Sequence, residues 1–510
     1  MKGFTKLLAL ILVCLMLVAA FAACGDQPDV TQGNNETNAS DETGNEGEVD
    51  INNRDSVKDT VPTDLRFDGE TVTFLVRDNK EMWLYEMDVD TIMNDTLYDA
   101  IYYRNKTVEE RLGSTITTIG QPGTYTDRAS WNDTVRTAVN TKLGDYDAIA
   151  MYMSTGSVLA VEGVYYNVID FPYLNLEKPW WNQNIQDELT LFSTLYYLAG
   201  DLAITQTAGG NCMFYNKDLF DKYYGTQGVD LYAEVDGMTW TIDRLYDLSS
   251  GVHEDLNGAG IVNDGDIVGY SDSSIDNIDD GSRDSWVAAM GINITTMVNG
   301  QPELSFYSAR TVEAFEKVRN LLGQNPGALA MGGATTSTFE NGYALFVRGE
   351  LNKGSQLREM KDRYGVLPLP MFEENQDGGY RTVCTNNASL IAILSSLTSD
   401  RKELVGATLE LMAAESYKQV TPAYYEIALK SKYSEDPSDA KMYDIILDSF
   451  TFSFGYCYST ESLGGVGSLF RNLTVDIAEK WDENDEVYEE KLQALIDGLD
   501  EAAFKAMYGG

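Results

Sequence analysis

The apolar and polar positions of the chain fall into three zones. A short apolar run, Leu7 to Val18, comes first. From Gly25 to Pro62 large apolar side chains almost vanish among Asn, Asp, Glu, Gly and Thr, and such a segment cannot bury enough surface to offset its ordering entropy. Regular periodicity begins at Thr71. Thr71 to Val76 (TVTFLV) predicts a buried strand. Asp95 is placed to cap a helix with Leu97, Ile101, Val108 and Leu112 on one face, and Gly113 to stop it. Ser114 to Ile119 predicts a second strand. Trp131, Val135, Val139 and Leu143 mark a second helix ending at Gly144, and Tyr146 to Tyr152 a third strand. Strand and helix alternating with short connections predict an α/β, doubly wound parallel sheet, with ligands outside the carboxyl ends of its strands, here 77–85 and 151–157. The alternation resumes with a helix through Val312, Phe315, Val318 and Leu322 and strands at 343–347, 364–369 and 389–394. A helix through Leu404, Thr408 and Leu411 follows, with Asp400 and Glu403 spaced for a capping box. An amphipathic helix through Leu492, Leu495, Ile496 and Leu499 closes the chain.

The opening run is too short to span a bilayer, which needs ~20 apolar residues. Lys2 and Lys6 precede it and small residues follow it, the pattern of an export signal. Phe21-Ala22-Ala23-Cys24 resembles a bacterial lipobox, which implies cleavage after residue 23 and a lipid on Cys24. Residues 24–65 then read as a lipidated cysteine and a disordered acidic tether. Its 38 residues from 25 to 62 span about 35 Å as a random coil. These features place the protein on the extracytoplasmic face of a cell membrane.

Charge narrows the partners. The chain carries 37 basic and 80 acidic residues, a net charge of −43. A nucleic-acid groove is excluded by that balance, and electrostatic attraction to anionic lipid with it. Of five cysteines, Cys14 and Cys24 belong to the leader and lipid site. Cys212, Cys384 and Cys457 sit in apolar or aromatic runs and read as buried free thiols. The 31 tyrosines offer flat apolar faces with hydroxyls, suited to wet polar sites.

Six segments, in order, carry a resemblance: Lys178-Pro-Trp-Trp181, Tyr197-Leu-Ala-Gly-Asp201, Met213-Phe-Tyr-Asn-Lys-Asp-Leu-Phe220, Thr239-Trp-Thr-Ile-Asp-Arg-Leu245, Asn341-Gly-Tyr-Ala-Leu-Phe346 and Tyr364-Gly-Val-Leu-Pro-Leu-Pro370. Behind a lipobox, they resemble the extracellular solute-binding lipoproteins of bacterial ABC importers, carbohydrate-type and maltodextrin-binding-protein-like. The resemblance implies a two-lobed periplasmic-binding-protein-like fold, each lobe a doubly wound sheet flanked by helices, joined by a multi-crossing hinge. By that analogy one lobe takes 66–203 plus 344–400 and the other 204–343 plus 401–510. It also implies capture of a small polar solute, an oligosaccharide first, by lobe closure, and delivery to the permease subunits of the importer.

For such a binder, aromatic faces stack on sugar rings while polar side chains bond hydroxyls. The candidates after the first strand are Asp78, Trp83 and Tyr85, and after the third Tyr152 and Ser154. Asp201 and Gln206 flank the first proposed crossing and Trp286 lies in a Ser-Arg-Asp-Ser-Trp loop. Arg348, equally readable as a structural ion-pair partner, and Glu350 follow a later strand; Tyr456 and Tyr458 lie in an aromatic stretch. Trp180 and Trp181 read as packing. Residues 255–266 follow the spacing of an EF-hand loop, with Asp255, Asn257, Asn263 and Asp266 at positions 1, 3, 9 and 12, Gly260 at the turn and the Ile261 carbonyl at position 7. Ala259 replaces the position-5 ligand. A weak structural Ca²⁺ site and a metal-free Asx-turn loop both remain open. Catalysis finds little support: the chain has one histidine, His253, and no G-x-S-x-G or H-E-x-x-H motif. A surface glycosidase using a carboxylate pair and a non-transporting glycan-binding lipoprotein stand as alternatives.

Overall fold

The computed structural model describes residues 51–277, 281–331, 335–430 and 437–508. Its first sheet has the order β12-β3-β1-β2, from β1 (Thr71–Arg77), β2 (Thr115–Gln121), β3 (Ala148–Tyr152) and β12 (Ser389–Ile393). β1 pairs in parallel with both β2 and β3, whereas β12 runs antiparallel to β3. The chain thus leaves β1 to one side for β2 and returns to the other side for β3. That reversal is a topological switch point, the place where doubly wound sheets bind ligands outside the carboxyl ends of the flanking strands, here Arg77 and Tyr152.

The helix Thr96–Leu112 is capped as predicted: Asp95 Oδ1 accepts from the amides of Leu97 at 2.9 Å and Tyr98 at 3.1 Å, and Gly113 ends it at φ +67°. The next helix, Arg128–Thr141, stops earlier than expected. Lys142 takes the left-handed position at φ +52°, leaving Leu143 exposed beyond the end. The capping box at Asp400 and Glu403 is also not formed. The helix starts at Lys402 after a 3-10 turn, with no side-chain cap on its first amides, and Arg401 instead bonds Asp147 through Nε and Nη2, both at 2.8 Å.

The second sheet has the order β11-β4-β10-β6-β5, with β9 also on β6. Its strands are β4 (Asn211–Asn216), β5 (His253–Glu254), β6 (Ile267–Ser273), β9 (Ala328–Met331), β10 (Ala344–Glu350) and β11 (Tyr364–Leu367). A separate hairpin joins β7 (Thr295–Val298) to β8 (Gln301–Leu304). β10 lies between β4, antiparallel, and β6, parallel, and β11 pairs with β4. The segment expected to return to the first lobe at 344 therefore stays with the second sheet through Leu367 and rejoins the first at Ser389. Both sheets are mixed rather than purely parallel. The apolar core continues from one sheet to the other, so the described residues from 52 onward pack as one unit.

Two chain crossings link the sheets and run side by side. Asn211 N donates to Val383 O at 3.1 Å and Thr385 N to Gly209 O at 2.9 Å, with Gly210 opposite Cys384. Gly210 is required by closeness: a Cβ there would lie 2.6 Å from the Phe450 ring. Within the segment read as a tether, Asp59 receives two 2.8 Å bonds from Arg111 and Val61 is buried, so these residues are held against the body. The leader and Cys24 lie outside the described residues. Cys212, Cys384 and Cys457 are buried and free.

Candidate functional site

Arg77, the last residue of β1, is almost fully buried at the switch point. Its Nη1 donates to Asn387 O and its Nη2 to Ser389 Oγ, both at 2.7 Å. The guanidinium lies 4.1 Å from the centroid of Trp83 and 5.6 Å from that of Tyr152. Stacking on two rings compensates part of its dehydration. Burial lowers its pKa to about 10, against the opposing field of Glu86, so it stays charged at neutral pH. Glu86 accepts from Ser389 Oγ, from Thr205 Oγ1 at 2.7 Å and from Thr205 N at 3.2 Å. Burial raises its carboxyl pKa, opposed by these bonds and by Arg77. Thr205 stands on the first crossing and Ser389 ends the second, so one carboxylate ties both crossings to the switch point.

The wall on the second sheet is built where β6 and β10 end. Arg348 grips Asp272 through Nη2 at 2.9 Å and Nε at 3.2 Å, and its Nη1 reaches Ser282 Oγ at 2.6 Å. Arg283, fully buried, donates to Ser273 O at 3.0 Å, Ser274 O at 2.9 Å and Arg471 O at 2.9 Å. Arg471 is thereby fixed beside Asp284, which it holds through Nε at 2.8 Å and through Nη2.

The two walls meet. Tyr152 Oη donates to Asn386 Oδ1 at 3.2 Å, and a Cβ placed on Gly281 would meet Arg471 Nη2 at 3.5 Å and Asn386 Nδ2 at 3.6 Å. Burial raises the Tyr152 hydroxyl pKa, lowered in turn by Arg77 and Arg471 and raised by Tyr125 and Asp284. Tyr456 completes the junction from the short helix Phe454–Tyr458. Its hydroxyl donates to Cys384 O at 2.9 Å, and burial with the Asp284 field pushes it far above the usual phenol range. At the rim, Arg128 Nε stands 3.4 Å from Glu461, whose charge also acts on the exposed Tyr125.

Of the sequence candidates, Trp83, Tyr152 and Tyr456 come together here with Ser154, which is buried with its backbone amide on Asn386 O. Asp78 is exposed just beyond β1 and Tyr85 packs edge-on against Tyr98 at 5.3 Å. Arg348 reaches the wall as an ion-pair partner. Trp286 is fully buried in the core and so presents no free ring face. Gln206 works in the hinge, donating to Ser389 O at 2.7 Å and accepting from Gly200 N at 3.0 Å. Asp201 accepts from Thr421 and lies 3.7 Å from Arg54; burial raises its pKa to about 6. Glu350 accepts from Asn352 at 2.9 Å and Tyr458 shares a 2.9 Å bond with Tyr197. Arg77, Asn386, Asp284 and Arg471 were missed. Asp284 and Arg471 meet across 187 residues of chain, and nothing local announces such a pair.

Residues 255–266 close on themselves. Asp255 accepts from the amides of Gly258, Ala259 and Gly260 at 2.6 to 3.2 Å. Asn257 Nδ2 donates to Asn263 Oδ1 at 2.7 Å, Asn263 Nδ2 to Ile261 O at 3.0 Å, and Asp266 accepts from Leu256 and Asn263 amides at 3.1 Å. Each of the five candidate ligand oxygens already accepts a hydrogen bond within the loop, Asn257 Oδ1 from Ala259 N at 2.9 Å and Asn263 Oδ1 also from Gly265 N at 3.0 Å. Among the described residues no group of three His, Cys, Asp or Glu side chains is arranged to hold a metal. Two surface hollows, about 590 Å³ beside Ser130, Thr134 and Asp145 and about 450 Å³ beside Arg244, Lys317 and Phe372, lie away from the junction. The first sits at the amino end of β3, the wrong end for a doubly wound site.

No protein-family model matches the chain, and no curated protein does. Solved structures do match in fold. A cyclo/maltodextrin-binding protein complexed with maltotetraose aligns over 86% of this chain and 98% of its own, with 11% identity and a TM-score of 0.51. The GacH receptor of Streptomyces glaucescens, solved unliganded and with acarbose, aligns over 86% and 98% with 12% identity and a TM-score of 0.50. The fold is thus that of the periplasmic binding proteins. No helix among the described residues is long and apolar enough to cross a membrane.

Proposed function

We propose that this protein is an extracytoplasmic solute receptor that closes two lobes around an oligosaccharide and presents it to the permease of an ABC importer. The observation carrying this reading is the junction itself. Aromatic rings and paired charges from the carboxyl ends of both sheets converge above two hydrogen-bonded crossings. Hinge closure would bring such walls onto a shared guest. The fold-level neighbours, named for maltodextrin and acarbose binding, support a sugar as the guest. The lobes of this reading follow the sheets, with 344–367 in the second. Cys24 is the proposed lipid anchor. The loop 255–266 is proposed to take Ca²⁺ weakly, in a structural role, through the oxygens of Asp255, Asn257, Ile261, Asn263 and Asp266.

The test is a thermal-shift screen of neutral and acidic oligosaccharides against the mature chain, with Trp83→Ala and Tyr152→Ala as controls. A sugar that raises Tm in the parent, and does so at least tenfold more weakly in both variants, supports the receptor reading. Absence of any saturable response across sugars and peptides rejects it. Cys24→Ala should release the protein from the membrane fraction.

A further inference from the structure

Resting on the receptor reading, we infer that the cleft selects an uncharged glycan and rejects uronates and sulfated or phosphorylated sugars. Three arginines at the junction, Arg471, Arg348 and Arg128, already face a carboxylate. Arg471 holds Asp284 through Nε and Nη2, Arg348 holds Asp272 through Nη2 and Nε, and Arg128 stands 3.4 Å from Glu461. Arg77 has Glu86 behind Ser389. Lys80 lies 4.6 Å from the Trp83 centroid, but Asp78 and Glu81 flank it, and all three are exposed.

An anionic sugar would have to displace a carboxylate from a two-point grip, or crowd a second anion beside it. Either is costly where burial strengthens like-charge repulsion. The net charge of −43 opposes its approach as well. A neutral polyol meets no such conflict. Its hydroxyls can donate to carboxylate oxygens and accept from guanidinium N–H groups alike. The Asp284–Arg471 pair is therefore the specificity determinant: the carboxylate keeps the guanidinium from serving as an anion site.

The experiment is calorimetric titration of the full mature chain and of Asp284→Asn with sodium sulfate and with an oligogalacturonate. The parent should show no saturable binding of either. The isosteric variant exposes the Arg471 charge and should bind at least one of them about tenfold or more tightly than the parent, with the gain lost in high salt and in Asp284→Asn/Arg471→Gln. If Asp284→Asn does not fold, Glu461→Gln, which releases Arg128 at the rim, takes its place. Saturable anion binding by the parent overturns the inference, and so does a folded variant that gains none. Failure of every neutral sugar in the screen instead rejects the receptor reading, and the variant titration stays decisive for the charge pairing.

Discussion

Replacing Glu410 by Gln tests how burial sets the stability of the first-sheet body. Glu410 lies on the helix Lys402–Glu415 with no solvent exposure. One carboxylate oxygen accepts from Trp181 Nε1 at 2.9 Å and Asn175 N at 3.1 Å. Burial nevertheless raises its pKa to about 7 from 4.5, outweighing the bonds from Trp181 and Asn175. The folded state thus binds this proton more tightly than the unfolded chain does. The penalty is absent below pH 4.5, grows as pH rises and is complete above about 7. At 1.36 kcal/mol per pKa unit it amounts to about 3 kcal/mol. Gln does not titrate, and its own packing cost is the same at every pH. Urea unfolding of both proteins at pH 5 and pH 8.5 should show the variant gaining about 2–3 kcal/mol on the parent between the two. The parent alone is not diagnostic, because Asp201, raised to about 6, titrates in the same window. A stability difference that stays flat with pH would refute the reasoning.

Glu86→Ala strands the buried Arg77 charge and the donors of Thr205 and Ser389, and should cost about 3–5 kcal/mol by denaturant midpoint, with Glu86→Gln losing less. Gly210→Val should lower Tm or abolish folding by driving into Phe450, while Gly228→Ala, at an open turn, should do so only mildly. Calcium at millimolar levels should raise Tm and EDTA should remove that gain, both effects vanishing in Asp255→Asn/Asp266→Asn; identical melting curves in all conditions would leave the loop an Asx turn.

Local order was legible in the sequence. TVTFLV, the Asp95 cap and the Gly113 stop act through neighbours a few residues away, and their chemistry is the same in any fold. Sheet membership was not. The apolar run 344–347 fits a strand in either sheet, and only its pairing with β4 and β6 decides. The same limit governs the site. Tyr152 can be placed at a strand end from local sequence, whereas Asp284 and Arg471 meet only in the fold. A tryptophan in a polar loop reads alike whether its ring faces solvent or turns into the core, and Trp286 is wholly buried. Arg77 was read as the end of a strand, when its place between Trp83 and Tyr152 makes it the floor of the junction.

The most direct measurement is small-angle X-ray scattering on the mature chain, titrated with the strongest sugar from the thermal screen. Two lobes closing on a guest predict a radius of gyration that falls saturably, with the same midpoint as calorimetric binding. Saturating binding with an unchanged radius would contradict closure and leave a rigid body with a surface site.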